Sequence, residues 1–179
     1  MKTSLYTVTI PVFIKNIERI SGILDKAVAH LAEQEEGDEA ALLATRLAPD
    51  QFPLVKQVQL LSDTAKGFAP RFTDTAPVPM EDTEATIAEL KQRLEATLTL
   101  LREVKPEDID GKEDTVIRIK WFPGKHLTGF DYAFDYALPN FFFHMTTAYS
   151  IMRHAGVTLG KADFLAGLAL QDDTEEAVV

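Results

Sequence analysis

The sequence predicts a mainly α-helical protein: a four-helix bundle with a small β-hairpin inserted before the last helix. Three observations carry that expectation. Apolar residues recur at three- and four-residue steps in four separate segments, the period of a helix with one buried face. After the third segment the period falls to two over Thr115–Phe122, which is strand-like. Prolines and glycines mark most of the segment ends. A chain of 179 residues is most simply one domain with a sizeable core. We expect the domain over residues 1–168 and an acidic, disordered tail over 169–179.

The first helix is expected from about Ser4 to Gln34, where Phe13, Ile17, Ile20, Leu24, Ala27, Val28 and Leu31 line one face. Pro11 either kinks it or marks its true start. The acidic stretch Glu33–Glu39, with Gly37, ends it. A connector follows, with one helical turn around Ala40–Leu43. The second helix starts near Asp50 or Phe52, because Asp50 suits an N-cap and Pro53 the first turn. Leu54, Val58, Leu61, Ala65, Phe68 and Phe72 form its stripe, and Pro70 bends or stops it. Thr73–Pro79 reads as a loop. The third helix begins after Asp82 or Thr83, with Glu84 favourably placed in the first turn. Its stripe is Ile87, Leu90, Leu94, Leu98 and Leu101, and Pro106 and Gly111 punctuate the exit. The hairpin pairs Thr115–Phe122 with Lys125–Thr128 through a turn at Pro123–Gly124. The fourth helix runs from about Phe130 to His154; Pro139 breaks or kinks it and Gly156 closes it.

Composition narrows the function classes. The chain has no cysteine, which removes disulfides, Cys-ligated zinc, iron–sulfur clusters and thiol catalysis and fits a cytoplasmic protein. The net charge of −10 argues against nucleic acid and against an anionic membrane surface; solubility accounts for it. No run approaches the roughly 20 apolar residues that cross a bilayer. The N-terminus lacks a compact apolar region with a cleavage site and reads as the start of a helix rather than a secretory signal. No phosphate-binding glycine loop, Ser–His–Asp order or nucleophile elbow is visible.

The candidate site lies in Ala137–Asp163. Asn140, His144, Thr147, Ile151 and His154 are spaced by four, three, four and three residues, which stacks them on one helix face. Polar groups aligned on a helix rich in Phe, Met, Ala and Tyr suggest a polar pocket inside the bundle. His144 suits a metal ligand or a general base, or a core-edge histidine bonded to a polar neighbour. Asn140 follows Pro139, so it can cap the restarted helix or bond freed backbone as well as contact a ligand. His154 suits the negative end of the helix macrodipole or the site, and Arg153 can pair with an acid or bond terminal carbonyls. Asp131 and Asp135 could hold a hard cation with waters or simply favour a helix N-terminus. Of Phe141, Phe142 and Phe143, one or two should pack inward. The remainder, with Trp121 and Phe122, could serve a homodimer. His30 and His126 carry no assigned role.

The motif from Leu138 onward, LPNFFFHMTTAYSIMRHAGV with GKADFL after it, resembles the signature of an uncharacterised bacterial domain-of-unknown-function family. Arg46–Gln59 and Ala65–Gly67 match it too, and the likeness extends over about residues 4–167. That family looks like part of the DinB/YfiT-like group of four-helix bundles. The resemblance implies a divalent metal, zinc or nickel, held by three histidines: one from the second helix and an i, i+4 pair from the last. Here the pair is Asn140 and His144, and the second helix has no histidine. Gln57, three after Leu54 and four before Leu61, stands as its nearest equivalent. Neutral amide oxygens bind zinc and nickel weakly, so the resemblance implies the pocket more than the metal.

Three functions are therefore in view. The first is a DinB-like protein with a polar inter-helical pocket that binds a small molecule, its metal site degenerate. The second is a divalent-metal-dependent enzyme, of transferase or hydrolase type, using His144. The third is a structural dimer without a site.

Overall fold

The computed structural model describes residues 3–35, 37–73 and 75–172. The elements are α1 (Ile10–Ala32), α2 (Glu39–Ala44), α3 (Leu54–Lys66), α4 (Ile87–Glu103), α5 (Pro106–Ile109), α6 (Gly129–Asp131), α7 (Leu138–His154) and α8 (Lys161–Phe164). A 3₁₀ turn spans Ala69–Arg71, and a π-helical segment, Tyr132–Ala137, joins α6 to α7.

The four long helices close a ring. α1 packs on α4, α4 on α3, α3 on α7, and α7 back on α1. The order places α1 diagonal to α3, so the connection carrying α2 crosses one end of the bundle, a known variant of four-helix topology. The apolar stripes of the second and third expected helices are buried throughout. Phe13 meets Phe68 and Phe141 edge-on at 5.4 and 5.0 Å, and Phe68 stacks on Tyr132 at 5.7 Å. This aromatic cluster ties α1, the end of α3 and the last helix into one core.

Local chemistry explains the helix ends. Pro11 lies in the first turn of α1, where a missing N–H costs nothing, so it marks the start rather than a kink. Thr86 and Glu89 form a reciprocal capping box on α4, with bonds of 3.1 and 3.0 Å. α7 ends in a Schellman motif at Gly156, φ +93°: Val157 N–H donates to the Met152 carbonyl and Gly156 N–H to that of Arg153, satisfying orphan carbonyls.

Several expectations are corrected. No hairpin forms among the described residues; one antiparallel bridge joins Ile117 and Leu127. The Phe122 amide already donates to the Ile119 carbonyl at 3.0 Å, so the chain turns before a second pair can form. Asp50 is not the N-cap of the second helix; Pro53 is. The Leu54 amide donates to the Thr45 carbonyl at 2.9 Å instead, which leaves a side-chain cap less to do. That helix ends at Lys66, and Pro70 sits in the 3₁₀ turn after it. Glu84 lies before α4, not in its first turn, because the capping box sets the start at Ile87. Val28 is 47% exposed; Ala27 takes the inward position, and the next residue turns about 100° away. Pro139 does not break the last helix. The π-helical segment Tyr132–Ala137 lies immediately before α7, and Pro139 falls in the first turn of α7, where a proline is tolerated. The end of the expected tail, residues 173–179, lies outside the described residues.

Candidate functional site between the second and last long helices

α3 and α7 share the most extensive helix contact of the bundle, and their polar side chains meet there. His144, 7% exposed, places Nδ1 2.7 Å from Gln57 Oε1. Gln57 Nε2 donates to the Phe52 carbonyl at 2.9 Å. That bond fixes the amide, since the reverse orientation would oppose two oxygens. The amide oxygen then requires His144 Nδ1 to carry the proton, so Nε2 keeps a lone pair. Among the described residues nothing bonds Nε2. Burial lowers the His144 pKa from 6.5 to about 4, so the ring is neutral near pH 7. One turn earlier on α7, Asn140 Nδ2 donates to Thr64 Oγ1 of α3 at 2.8 Å.

A second polar network ties α3 to α4. Arg93, 4% exposed, donates through Nη2 to Asp63 at 2.7 Å and through Nη1 to Glu84 at 2.9 Å. It also reaches Asp82, the Glu81 carbonyl and Ser62 Oγ. Lys56 pairs with Asp82, and Gln59 donates to Glu84 at 2.7 Å. Burial opposes the charges of Arg93 and Glu84, but their mutual hydrogen bond and attraction prevail. They hold the Glu84 pKa below, and the Arg93 pKa above, their ordinary values. All the carboxylates here are occupied by cations or amides, so the network is a clasp for the Glu81–Glu84 segment rather than a reactive centre.

The structure thus brings Gln57 and His144 together, keeps Asn140 half-buried one turn away and buries Thr147 on the same face. His154 does not join them. It is exposed in the last turn of α7, where the macrodipole favours a cation. Arg153 bonds the Leu159 carbonyl. Asp131 accepts from Thr128 Oγ1 at 2.7 Å at the start of α6, and Asp135 is exposed. Phe141 is buried, Phe142 partly so, and Phe143 is 57% exposed. The Arg93 clasp was missed, although its signal exists: Arg93 and Thr97 fall beside Leu94 and Leu98, inside the α4 stripe.

The donors do not fit a three-histidine metal centre. The Gln57 oxygen and the His144 Nδ1 proton are engaged with each other, and the Asn140 amide donates to Thr64. Among the described residues no group of three or more His, Asp or Glu side chains could hold a metal ion.

A ring of four helices with a polar seam between two of them defines a helical-bundle protein with an inward-facing candidate site. The chain belongs to the family described as Domain of unknown function (DUF1993), whose model matches residues 5–165. It is similar to the crystal structure of a DinB family member protein from Shewanella denitrificans, with 41% identity over 94% of this chain and 96% of that chain and a TM-score of 0.88. The protein is therefore DinB-like, as the motif after Leu138 implied. No curated protein matches it. Among the described residues no helix is long and apolar enough to cross a membrane.

Proposed function

We propose that this DinB-like bundle binds a small, uncharged, hydrogen-donating molecule at the α3–α7 seam, and that its metal site has degenerated into an amide–imidazole pair. The 2.7 Å bond between Gln57 and His144 carries the reading. It engages the side chains that stand where metal ligands are expected, and it leaves Nε2 a neutral acceptor with no hydrogen-bond partner among the described residues. Thr147 adds a hydroxyl one turn along. Gln51, next to Phe52, buries an amide oxygen with no partner among the described residues. These groups are mainly acceptors, and the depressed pKa of His144 marks surroundings that disfavour positive charge. A neutral hydroxyl- or amide-bearing ligand suits them. The setting we infer is the cytoplasm, in line with the cysteine-free composition. The exposed rings of Phe130 and Phe134, 4.6 Å apart, together with Phe143, support a homodimer, which sedimentation velocity would reveal.

Elemental analysis of untagged protein, purified without chelator beside His144→Ala, tests the metal. We expect no stoichiometric transition metal in either. About one zinc or nickel per chain, lost in the variant, would replace this reading with the metal-dependent transferase or hydrolase. A ligand-observed NMR screen of neutral polyols and amides tests the pocket. Hits abolished by His144→Ala support it, and a blank screen leaves a structural bundle.

A further inference from the structure

The later part of the loop between α5 and α6, after Asp110, Glu113 and Asp114, differs from the rest of the molecule in charge. The whole chain carries −10, yet Thr115–Thr128 holds Arg118, Lys120, Lys125 and His126 with no Asp or Glu. Arg71 joins them from the 3₁₀ turn: its Nη1 donates to the Arg118 carbonyl at 2.8 Å, and its guanidinium lies 6.0 Å from the Tyr132 ring centroid. These contacts position Arg71 beside the loop. None of Arg71, Arg118, Lys120 and Lys125 forms an ion pair within the described residues. All four line one open cavity of about 450 Å³ together with His126.

A second cavity, of about 250 Å³, adjoins it. Ile117, Ile119, Phe122 and Leu127 line it. Ile119, Phe122, Lys125 and His126 belong to both walls. The single bridge between Ile117 and Leu127 holds this apolar floor open beside the cations. Four cations with no ion pair among the described residues, next to a compact apolar pocket, match an anion with a short hydrocarbon part. Cations without carboxylate partners raise the local potential even on an acidic protein.

We propose that this loop is a binding site for a small amphipathic organic anion. Its phosphate or carboxylate would sit among Arg71, Arg118, Lys120 and Lys125, and its apolar part among Ile117, Ile119, Phe122 and Leu127. The site is separate from the α3–α7 seam and does not depend on it. The same chemistry is offered by a free metabolite and by a lipid headgroup with its chain, and the cavity size favours the free molecule.

Trp121 is the only tryptophan. It is 70% exposed, and Lys120 Nζ lies 5.2 Å from its ring centroid. An anion that draws on Lys120 disturbs that contact, so Trp121 fluorescence reports binding. The probe is hexyl phosphate, titrated against inorganic phosphate, hexanol and vesicles of phosphatidylcholine with phosphatidylserine. We expect a saturable response to hexyl phosphate, weakened by added salt and at least about tenfold tighter than to either fragment. The double variant Arg118→Gln/Lys125→Gln should weaken it by about tenfold or more. Both residues are exposed, so its unfolding midpoint should match the parent's. Equal affinity for hexanol, an unchanged response in the double variant, or no saturation would overturn the proposal. A response to vesicles alone would also overturn it, in favour of a membrane-surface loop.

Discussion

His144 is the residue on which the candidate site turns. Its folded pKa of about 4 lies below the ordinary 6.5, so the folded state binds fewer protons than the unfolded chain between those values. The stability tied to a neutral His144 is complete above pH 6.5 and is lost as pH falls toward 4. We expect about 1–3 kcal/mol to disappear over that window, measured as urea midpoints at pH 7 and 4.5, and the loss should vanish in His144→Phe. Imidazole ¹⁵N shifts should show Nδ1 protonated at pH 7; an Nε2–H tautomer would contradict the geometry. Gln57→Leu leaves Nδ1–H buried without an acceptor. It should cost about 1–3 kcal/mol, read from the same urea titration, and more than Asn140→Ala, whose site is half-buried.

Among the elements, the α3–α4 pair depends on a group that periodicity does not mark. Arg93 clasps Asp63, Asp82 and Glu84, and the Glu81 carbonyl as well. Arg93→Met would leave Glu84, whose side chain is 11% exposed, without its cation. The two aspartates are 36% exposed, and water partly compensates them. We therefore expect a loss of about 2–3 kcal/mol in denaturant unfolding at pH 7. The Glu84 pKa is held down in the fold, so its contribution is present above its ordinary value of 4.5 and is lost as pH falls through the depressed one. The parent should therefore weaken further below about pH 4.5, after the His144 loss, and Arg93→Met should lack that second decline.

For the whole molecule, the test is whether the ring of helices still has the geometry of a metal-binding bundle. Gln57 and His144 face each other across α3 and α7, and Asn140 precedes His144 by one turn of the same helix. The double change Gln57→His/Asn140→His should place three imidazoles around one point and create a nickel or zinc site. Calorimetry should detect binding that the parent and each single variant lack. No gain in a folded double variant would mean that the seam is too tight or its imidazoles too far apart to share an ion.

Much of this architecture could be read from one chain, and its limits have identifiable causes. The apolar stripes of α3 and α4 dictated which faces turn inward, because burying a 3.6-residue stripe is the main way such a helix gains stability. Gly156 specified the end of α7 through its left-handed backbone. The motif after Leu138 led to the family and the bundle. The hairpin failed because alternation over Thr115–Phe122 needs a partner strand, and local turns claimed the backbone first. The start of α3 was misplaced because the carbonyl that receives its first amide, Thr45, comes from an earlier segment. Spacing put Asn140, His144, Thr147 and His154 on one face. It took the packing of α3 against α7 to separate the first three from His154, and to pair His144 with Gln57. The Arg93 clasp, like that pair, consists of contacts between residues far apart in the chain. Local periodicity reports which face of a helix is buried, and long-range packing selects the partner that face meets.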